Sequence, residues 1–164
     1  MTITRRIAAF GLAAAALVGC GSKFRSYDGP EVTRVIVFKK QRRMLLLHQQ
    51  RALKVYNVAL GFEPVGDKKI YGDGKTPEGQ YMIDRRNPDS RFHLSLGIDY
   101  PRPADIAEAE ALGEEPGGDI FIHGRGRLRN LLSDWTWGCI AVTNDEMEEV
   151  YSMVRTGTPI SIYP

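Results

Sequence analysis

The sequence predicts a single, mainly β domain with a few short helices. Short runs of β-branched and apolar residues are separated by turn-forming residues, which is typical of strands. Helix signals are confined to short stretches, and one long glycine-rich segment interrupts the pattern. With 164 residues, of which 43% are hydrophobic, the chain can bury one sizeable core and needs no second domain.

The N-terminus is predicted to be a secretory signal peptide over residues 1–19. Arg5 and Arg6 precede an apolar stretch of about a dozen residues that ends before Gly19-Cys20, which is the layout of such a signal. A permanent transmembrane helix is the weaker alternative, because roughly 20 apolar residues are needed to span a bilayer.

Leu17-Val18-Gly19-Cys20 resembles the lipobox of bacterial lipoproteins. The resemblance implies a lipid on Cys20, a lipidated tether over residues 20–31, and a position on the periplasmic side of the outer membrane, since residue 21 is Gly rather than Asp. An ordinary signal peptide with an incidental cysteine is the alternative. A lipidated Cys20 would leave Cys139 as a lone thiol where structural cysteines normally pair, which suggests a reactive role.

The domain is predicted over residues 32–164 and opens with a β-meander. Residues 32–38, 44–48 and 52–60 are rich in β-branched and apolar residues and are separated by polar turns. Residues 61–79 hold five glycines and two prolines, so they are predicted to form a long loop. Loops of this length are usually functional or mobile, which makes this one the candidate lid.

The second half of the domain is predicted to mix strands with two helices. The strands are expected at residues 80–84, 93–98, 119–123 and 158–163. Residues 103–112 have the Ala/Glu composition of a surface helix. Thr143 and Glu146 match a capping box, and apolar residues follow at helical spacing up to Val154, which predicts a second helix ending before Gly157.

Charge and ligand types exclude two classes of function. The net charge of +2 comes from Arg5 and Arg6, because the other Lys and Arg balance the 20 Asp and Glu. A nucleic-acid partner, which would need a clustered basic face, is therefore not expected. No cofactor or metal is predicted either. The available zinc ligands would be His48, His93, His123 and Cys139, which include no close pair.

Cys139 and His123 are the candidates for chemistry. A thiol is a poor nucleophile at neutral pH until an imidazole accepts its proton, so this pair is the minimum for acyl transfer. Gly138 lets the backbone turn sharply before the cysteine, and the amides of Gly138 and Cys139 could hold an oxyanion. With no obvious Asp beside the histidine, the Gly124 carbonyl is a plausible group to orient it.

Other interpretations of the same residues remain open at this point. A lone cysteine is more often an inert buried residue than a nucleophile, and a lone histidine is more often structural. Trp135 and Trp137 can pack in the core or wall a groove. His93 could line the same cavity as His123.

The order of motifs resembles a known family. His123-Gly124, followed by Thr136-Trp-Gly-Cys139-Ile140, is similar to the His…Ser/Thr-x-Gly-Cys signature of L,D-transpeptidases, the YkuD-type catalytic domain. Residues 74–81 resemble the Thr-Pro-x-Gly segment of that family. The resemblance covers nearly all of residues 32–164 and implies a β-sandwich or barrel-like catalytic domain.

The resemblance also implies roles for particular residues. Cys139 would attack a peptidoglycan stem peptide at the bond between meso-diaminopimelate and the terminal D-alanine, with His123 as general base and the Gly124 carbonyl as its orienting group. The residues expected at the oxyanion hole and the substrate surface are Gly138, Thr136, Trp137, His93 and Tyr71.

The acceptor of the acyl group is left open by the sequence. An amine on another stem peptide would give a 3→3 cross-link, an amine on an outer-membrane lipoprotein would give an anchor, and water would give cleavage by an amidase or carboxypeptidase. Ala141 stands where many members have Asn or Arg, and Trp137 stands where some have His. The motif resembles a subgroup that includes a hydrolase releasing lipoprotein from peptidoglycan. A non-catalytic, wall-binding lipoprotein is the remaining alternative.

Overall fold

The computed structural model describes residues 22–125 and 134–164. The elements are β1 (Arg34–Phe38), β2 (Arg43–His48), β3 (Arg51–Asn57), β4 (Gly79–Asn87), β5 (Ser95–Ile98), α1 (Pro103–Ala111), β6 (Phe121–His123), β7 (Ile140–Ala141), α2 (Asn144–Met153) and β8 (Pro159–Tyr163). The predicted signal peptide and Cys20 lie outside the described residues. In the two described ranges, no helix is long and apolar enough to cross a membrane.

The strands form one curled sheet in the order β3-β2-β1-β8-β4-β5-β6-β7. β1 pairs with β8 and β6 pairs with β7 in parallel, and the other neighbours are antiparallel. The nine-residue β4 pairs with β8 through its first half and with β5 through its second half, and a bulge lies between Ile83 and Arg85. Bulges bend a strand, so β4 carries the curl. The mainly β, barrel-like prediction is confirmed.

The core lies between the sheet and α2. Val35 and Val37 of β1 and Met147 and Val150 of α2 are fully buried, and each such side chain contributes about 1.5–3 kcal/mol by leaving water. Thr143 caps α2, accepting a hydrogen bond from the Glu146 amide at 3.2 Å, as the capping box predicts. The helix packs on β5 and β6 and so supports the strand that ends at His123.

Two strands begin later than predicted, and one short strand was not predicted. The strand expected at 93–98 begins at Ser95 because His93 has a left-handed backbone, with φ of 78°. The strand expected at 119–123 begins at Phe121, because Asp119 is also left-handed, with φ of 56°. The two-residue β7 was not predicted, because two apolar residues are too few to show the alternating pattern that identifies a strand.

The loop over residues 61–79 is held in place by two buried lysines. Lys39 Nζ donates to the carbonyls of Gly66 and Thr76 at 2.6 and 2.8 Å. Lys68 Nζ forms an ion pair with Asp73 at 2.9 Å. Buried ammonium groups are costly to unpair, so this network holds the loop against the domain in this conformation. Its role as a lid stays a prediction.

The N-terminal segment, residues 22–31, lies along the domain. Lys23 Nζ donates to the Pro88 carbonyl at 2.6 Å, and Arg25 pairs with Glu148 of α2 at 2.9 Å. The segment that the sequence suggested as a tether therefore contacts both α2 and the loop after β4.

Candidate active site

Strand pairing brings the two candidate chemical groups together. β6 and β7 are parallel neighbours, with Ile122 opposite Ile140 and His123 opposite Ala141. His123 is the last residue of β6, and Cys139 immediately precedes β7. The pairing therefore brings to one place two residues that are sixteen positions apart in the chain.

His123 and Cys139 line one cavity of about 300 Å³, called the catalytic cavity below. Its other described lining residues are Asn87, Asp89, Ser90, Arg91, Phe92, Ser95, Asp119 and Phe121. The thiol donates to the Asp119 carbonyl, with Sγ and O 3.5 Å apart. The described hydrogen bonds include none between Sγ and the His123 ring, so the thiol has to turn from Asp119 before the imidazole can accept its proton.

His123 is oriented by its neighbour in the chain. Its Nδ1 lies 2.5 Å from the Gly124 carbonyl oxygen, and because a carbonyl can only accept, Nδ1 must carry the proton. Nε2 is then the nitrogen with a free lone pair. Burial lowers the pKa of His123 below its usual 6.5, against a smaller raising effect of the bond to Gly124. The imidazole is therefore neutral at pH 7 and able to accept a proton.

Two aromatic rings enclose the imidazole. Phe92 stacks on it with ring centroids 4.5 Å apart, and Trp135 meets it edge-on at 5.7 Å. The two tryptophans near the cysteine thus have different roles, because Trp135 packs behind His123 while Trp137 is 70% exposed.

The Cys139 thiol is protonated in the resting site. Burial raises its pKa to about 11, and a hydrogen bond from the Phe121 backbone opposes that change. Nearby Asp119 raises the pKa further, whereas the positive charge of Arg85 lowers it. The site therefore holds a neutral thiol and a neutral imidazole in one cavity, and the thiol becomes a good nucleophile only when it loses its proton.

The turn before Cys139 depends on Gly138 and Thr136. Gly138 has φ of 118°, and a Cβ there would lie 2.6 Å from the Lys75 carbonyl oxygen, so a side chain does not fit. Thr136 Oγ1 donates to the Cys139 carbonyl at 2.7 Å and accepts from the Gly138 amide at 3.2 Å. The Gly138 amide, expected in the oxyanion hole, is thus already bonded in this state. A role for the Cys139 amide stays a prediction.

A second cavity of about 220 Å³, called the side cavity below, shares Cys139 and Asp119 with the first. Its other described lining residues are Lys68, Tyr71, Gly72, Gly117, Gly118 and Trp137. Tyr71 is 77% exposed, and Trp137 meets Phe62 edge-on with centroids 4.9 Å apart. The thiol is therefore bordered by a cavity with the base and a cavity with exposed aromatic rings.

A family model, the L,D-transpeptidase catalytic domain YkuD, matches residues 32–162. The chain belongs to the L,D-transpeptidase family. The matched range begins just before β1 and ends within β8, so it includes all but the last strand residue of the curled sheet, together with every described lining residue of both cavities.

Curated relatives and solved structures agree with this assignment. The L,D-transpeptidase domain is 30% identical to the Escherichia coli (strain K12) protein YafK over 141 residues, which cover 78% of this chain and 52% of YafK. The chain thus spans about half the length of that relative. It is 25% identical to Bacillus subtilis YqjB over 132 residues, covering 78% of this chain and 69% of YqjB.

A similar solved structure is Pgp2 of Campylobacter jejuni, a helical cell shape determining protein. Pgp2 is 26% identical, with a TM-score of 0.64 over 88% of this chain and 51% of Pgp2. The curled sheet of this L,D-transpeptidase domain therefore has a solved counterpart.

His93, which the sequence suggested could line the cavity of His123, is not among the described lining residues of the catalytic cavity or the side cavity. Its Nε2 lies 2.9 Å from a Glu148 carboxylate oxygen on α2, because the left-handed turn at His93 takes the ring away from the site. His93 therefore links the loop after β4 to α2.

Two residues of the site were missed from the sequence. Phe92 contacts the imidazole, and Asp119 lines both cavities. In the sequence, Phe92 is only an aromatic residue in the loop before β5, and Asp119 is only an acidic residue after Gly117-Gly118. Neither feature identifies a residue of the site. In the described part of the chain, no three His, Cys, Asp or Glu side chains are grouped to hold a metal ion.

Proposed function

We propose that this L,D-transpeptidase domain is a peptidoglycan acyltransferase in which Cys139 forms a thioester with a stem peptide and passes the acyl group to an amine. One observation carries the proposal. Cys139 and His123 line the same cavity, and His123 is held with Nε2 available to accept a proton. The substrate class, the bond between meso-diaminopimelate and D-alanine, comes from the family.

In the first half-reaction, Sγ attacks the carbonyl carbon of the scissile bond while His123 Nε2 takes the thiol proton. Because the resting thiol has a pKa of about 11, proton transfer accompanies the attack. The tetrahedral intermediate collapses when the carbon–nitrogen bond breaks. The imidazolium gives its proton to the departing D-alanine amine, which leaves the neutral imidazole and a thioester on Cys139.

In the second half-reaction, an amine nitrogen attacks the thioester carbon. A nitrogen–carbon bond forms, the carbon–sulfur bond breaks, and His123 carries the amine proton to Sγ. Water at the same position would give hydrolysis in place of transfer, so the two outcomes differ only in the second substrate.

The location that fits this function is the periplasm, with the chain anchored to the outer membrane through a lipid on Cys20. The support is the signal-like layout of residues 1–19 and the lipobox-like residues before Cys20. A peptidoglycan-linked lipoprotein would then be within reach as an amine acceptor. We expect Cys20→Ser to move the protein from the membrane fraction to the soluble fraction, and unchanged fractionation would contradict the anchor. The description of Pgp2 as a cell shape determining protein supports a role in wall architecture.

The test is mass spectrometry of the full chain incubated with disaccharide-tetrapeptide, with Cys139→Ala as the matched control. Cross-linked dimers, lost in the variant, would support the transpeptidase. Cleaved monomers that have gained water would identify a hydrolase of the same fold. Equal turnover by the variant, or the lack of any thiol adduct in the wild type, would contradict the proposal and favour a wall-binding protein.

A further inference from the structure

Asp119 occupies a position that the reaction described above does not yet use. It lines both the catalytic cavity and the side cavity, and among the described lining residues only Cys139 does the same. Its backbone carbonyl accepts the thiol hydrogen bond, with Sγ 3.5 Å away. The backbone of Asp119 is therefore beside the thiol, and its carboxylate is close enough for its negative charge to raise the pKa of Cys139.

The backbone of Asp119 is unusual for a residue with a side chain. Its φ is 56°, in the left-handed region that glycine adopts without cost. Two glycines, Gly117 and Gly118, immediately precede it. A third glycine at position 119 would adopt this φ without strain, yet the residue there is an aspartate. Residues held in such conformations are concentrated at functional sites, which directs attention to what the Asp119 carboxylate does.

The negative charge of Asp119 is only partly neutralised by the nearest basic side chain. Its side chain is 90% exposed and lies 3.3 Å from Arg85, but the same guanidinium also binds Asp84 at 2.8 Å. Two carboxylates thus share one cation.

Among the described lining residues of the side cavity, no other charged side chain is both exposed and available to a ligand. Lys68 is the second charged residue there, but its side chain is 3% exposed and its Nζ is paired with Asp73. The charge that a ligand in the side cavity would meet is therefore the Asp119 carboxylate, next to the exposed rings of Tyr71 and Trp137.

We propose that Asp119 determines acceptor specificity: its carboxylate binds the ammonium group of a lysine-type primary amine in the side cavity. This proposal rests on the proposed acyl transfer. The amine of a lysine-type side chain is carried by an aliphatic chain, and the carbon that bears it has no carboxylate. Such an amine suits the site in two ways. The ammonium pairs with Asp119, and the aliphatic chain and charge lie against Tyr71 and Trp137. An α-amino acid amine brings its own carboxylate, which Asp119 repels. The free meso-diaminopimelate amine of a second stem peptide is of this kind, so cross-linking should be slower than transfer to a lysine-type amine.

The chemistry needs no further reactant. The bound ammonium gives one proton to solvent and becomes a free amine beside the thioester. The nitrogen attacks the acyl carbon, the carbon–sulfur bond breaks, and the remaining surplus proton passes through His123 to Sγ. Asp119 raises the local concentration of the amine but not of water, so it favours transfer over hydrolysis.

The experiment measures how the acyl-enzyme partitions among nucleophiles. The full chain is acylated with disaccharide-tetrapeptide at neutral pH in the presence of Nα-acetyl-lysine amide, D-methionine or hydroxylamine, which are a cation, a zwitterion and an uncharged nucleophile. Products are quantified by mass spectrometry as the ratio of transfer to hydrolysis. Asp119→Asn removes the charge, and asparagine tolerates the left-handed backbone. Asp145→Asn is the matched control, because its side chain is also 90% exposed and it lines neither cavity.

We expect Asp119→Asn to lower the transfer ratio for Nα-acetyl-lysine amide about two- to fivefold, as for an exposed ion pair, and to leave the hydroxylamine ratio unchanged. Asp145→Asn should leave both ratios unchanged. An equal loss for all three nucleophiles, or no loss for the cation, would overturn the proposal. A wild type that forms the thioester but transfers it only to water would overturn it while leaving the thioester chemistry intact. A wild type with no thioester would instead refute the proposed function.

A second measurement does not depend on the variant folding. Added salt screens an exposed charge pair, so the wild-type preference for Nα-acetyl-lysine amide over hydroxylamine should fall as salt is raised. A preference that is independent of salt would contradict the role of Asp119.

Discussion

The ring of Phe92 lies on the ring of His123, with centroids 4.5 Å apart and planes inclined by 26°. The stack covers the imidazole on the side of the loop after β4, and it is part of the burial that lowers the pKa of His123. Lys23 holds this loop through the Pro88 carbonyl. The pKa of His123, the proposed general base, therefore depends on a residue outside the sequence motif.

Replacing Phe92 with leucine tests this dependence. Loss of the stack should admit water to His123 and raise its pKa towards the usual 6.5, so that the base is protonated at a higher pH than in the wild type. We expect the acidic limb of the pH profile of kcat/KM to move to higher pH. The lost ring pair should cost about 0.5–1.5 kcal/mol of stability. Phe24→Leu, at a ring that packs on Tyr151, is the control, and an unmoved acidic limb would exclude this role for Phe92.

The reactivity of Cys139 towards iodoacetamide should increase steadily with pH. Because burial raises the thiol pKa to about 11, the thiolate fraction grows about tenfold per pH unit through the neutral and mildly alkaline range. We expect no plateau between pH 6 and 9 in the alkylation rate of the free enzyme, followed by intact-protein mass. A plateau near neutrality would mean that the resting pair is a thiolate and an imidazolium.

Folding stability should decrease below pH 7 because of His123. Its pKa is lower in the folded chain than the usual 6.5, so the unfolded chain binds the proton more readily. The associated stability is complete above pH 6.5 and is lost as pH falls towards the folded pKa. Urea unfolding at pH 7.5 and 5.5 should show a larger loss in the wild type than in His123→Gln. Equal losses would contradict this, since both proteins keep His48 and His93.

Thr136 should stabilise the turn before Cys139 through the hydrogen bonds of its hydroxyl rather than through the packing of its side chain. Thr136→Val keeps the size but leaves the Gly138 amide and the Cys139 carbonyl without their present partner. We expect a loss of about 1–3 kcal/mol of unfolding free energy and a clear fall in the rate of thioester formation, measured on the same sample. Thr136→Ser retains the hydroxyl and should recover most of both. Similar behaviour of the two variants would show that the hydroxyl is not needed.

The parts of the site that could be predicted from the sequence are those carried by local motifs. Cys139, His123 and the Gly124 carbonyl lie within two short segments, and strand pairing brings those segments together without changing their local geometry. The mainly β fold was predictable for a similar reason, because the longer strands are continuous runs of β-branched and apolar residues.

The residues that were missed or wrongly placed depend on backbone conformations that a sequence pattern does not reveal. His93 and Asp119 both have positive φ, which turns the first away from the site and places the second between two cavities. Gly138 was correctly expected at the turn, but its amide is bonded to Thr136, and that bond depends on the three-dimensional closure of the turn.

Ala141, two residues after the nucleophile, is fully buried and exchanges backbone hydrogen bonds with Ala59 at 2.8 and 2.9 Å. The longer Asn or Arg side chain that the family resemblance leads us to expect at this position would here enter a filled interior, at a cost of about 1–3 kcal/mol for overpacking alone. Placing such a residue at position 141 would therefore destabilise the domain before it altered selectivity. Variants designed to change the proposed acceptor would have to start at the surface loops around the thiol.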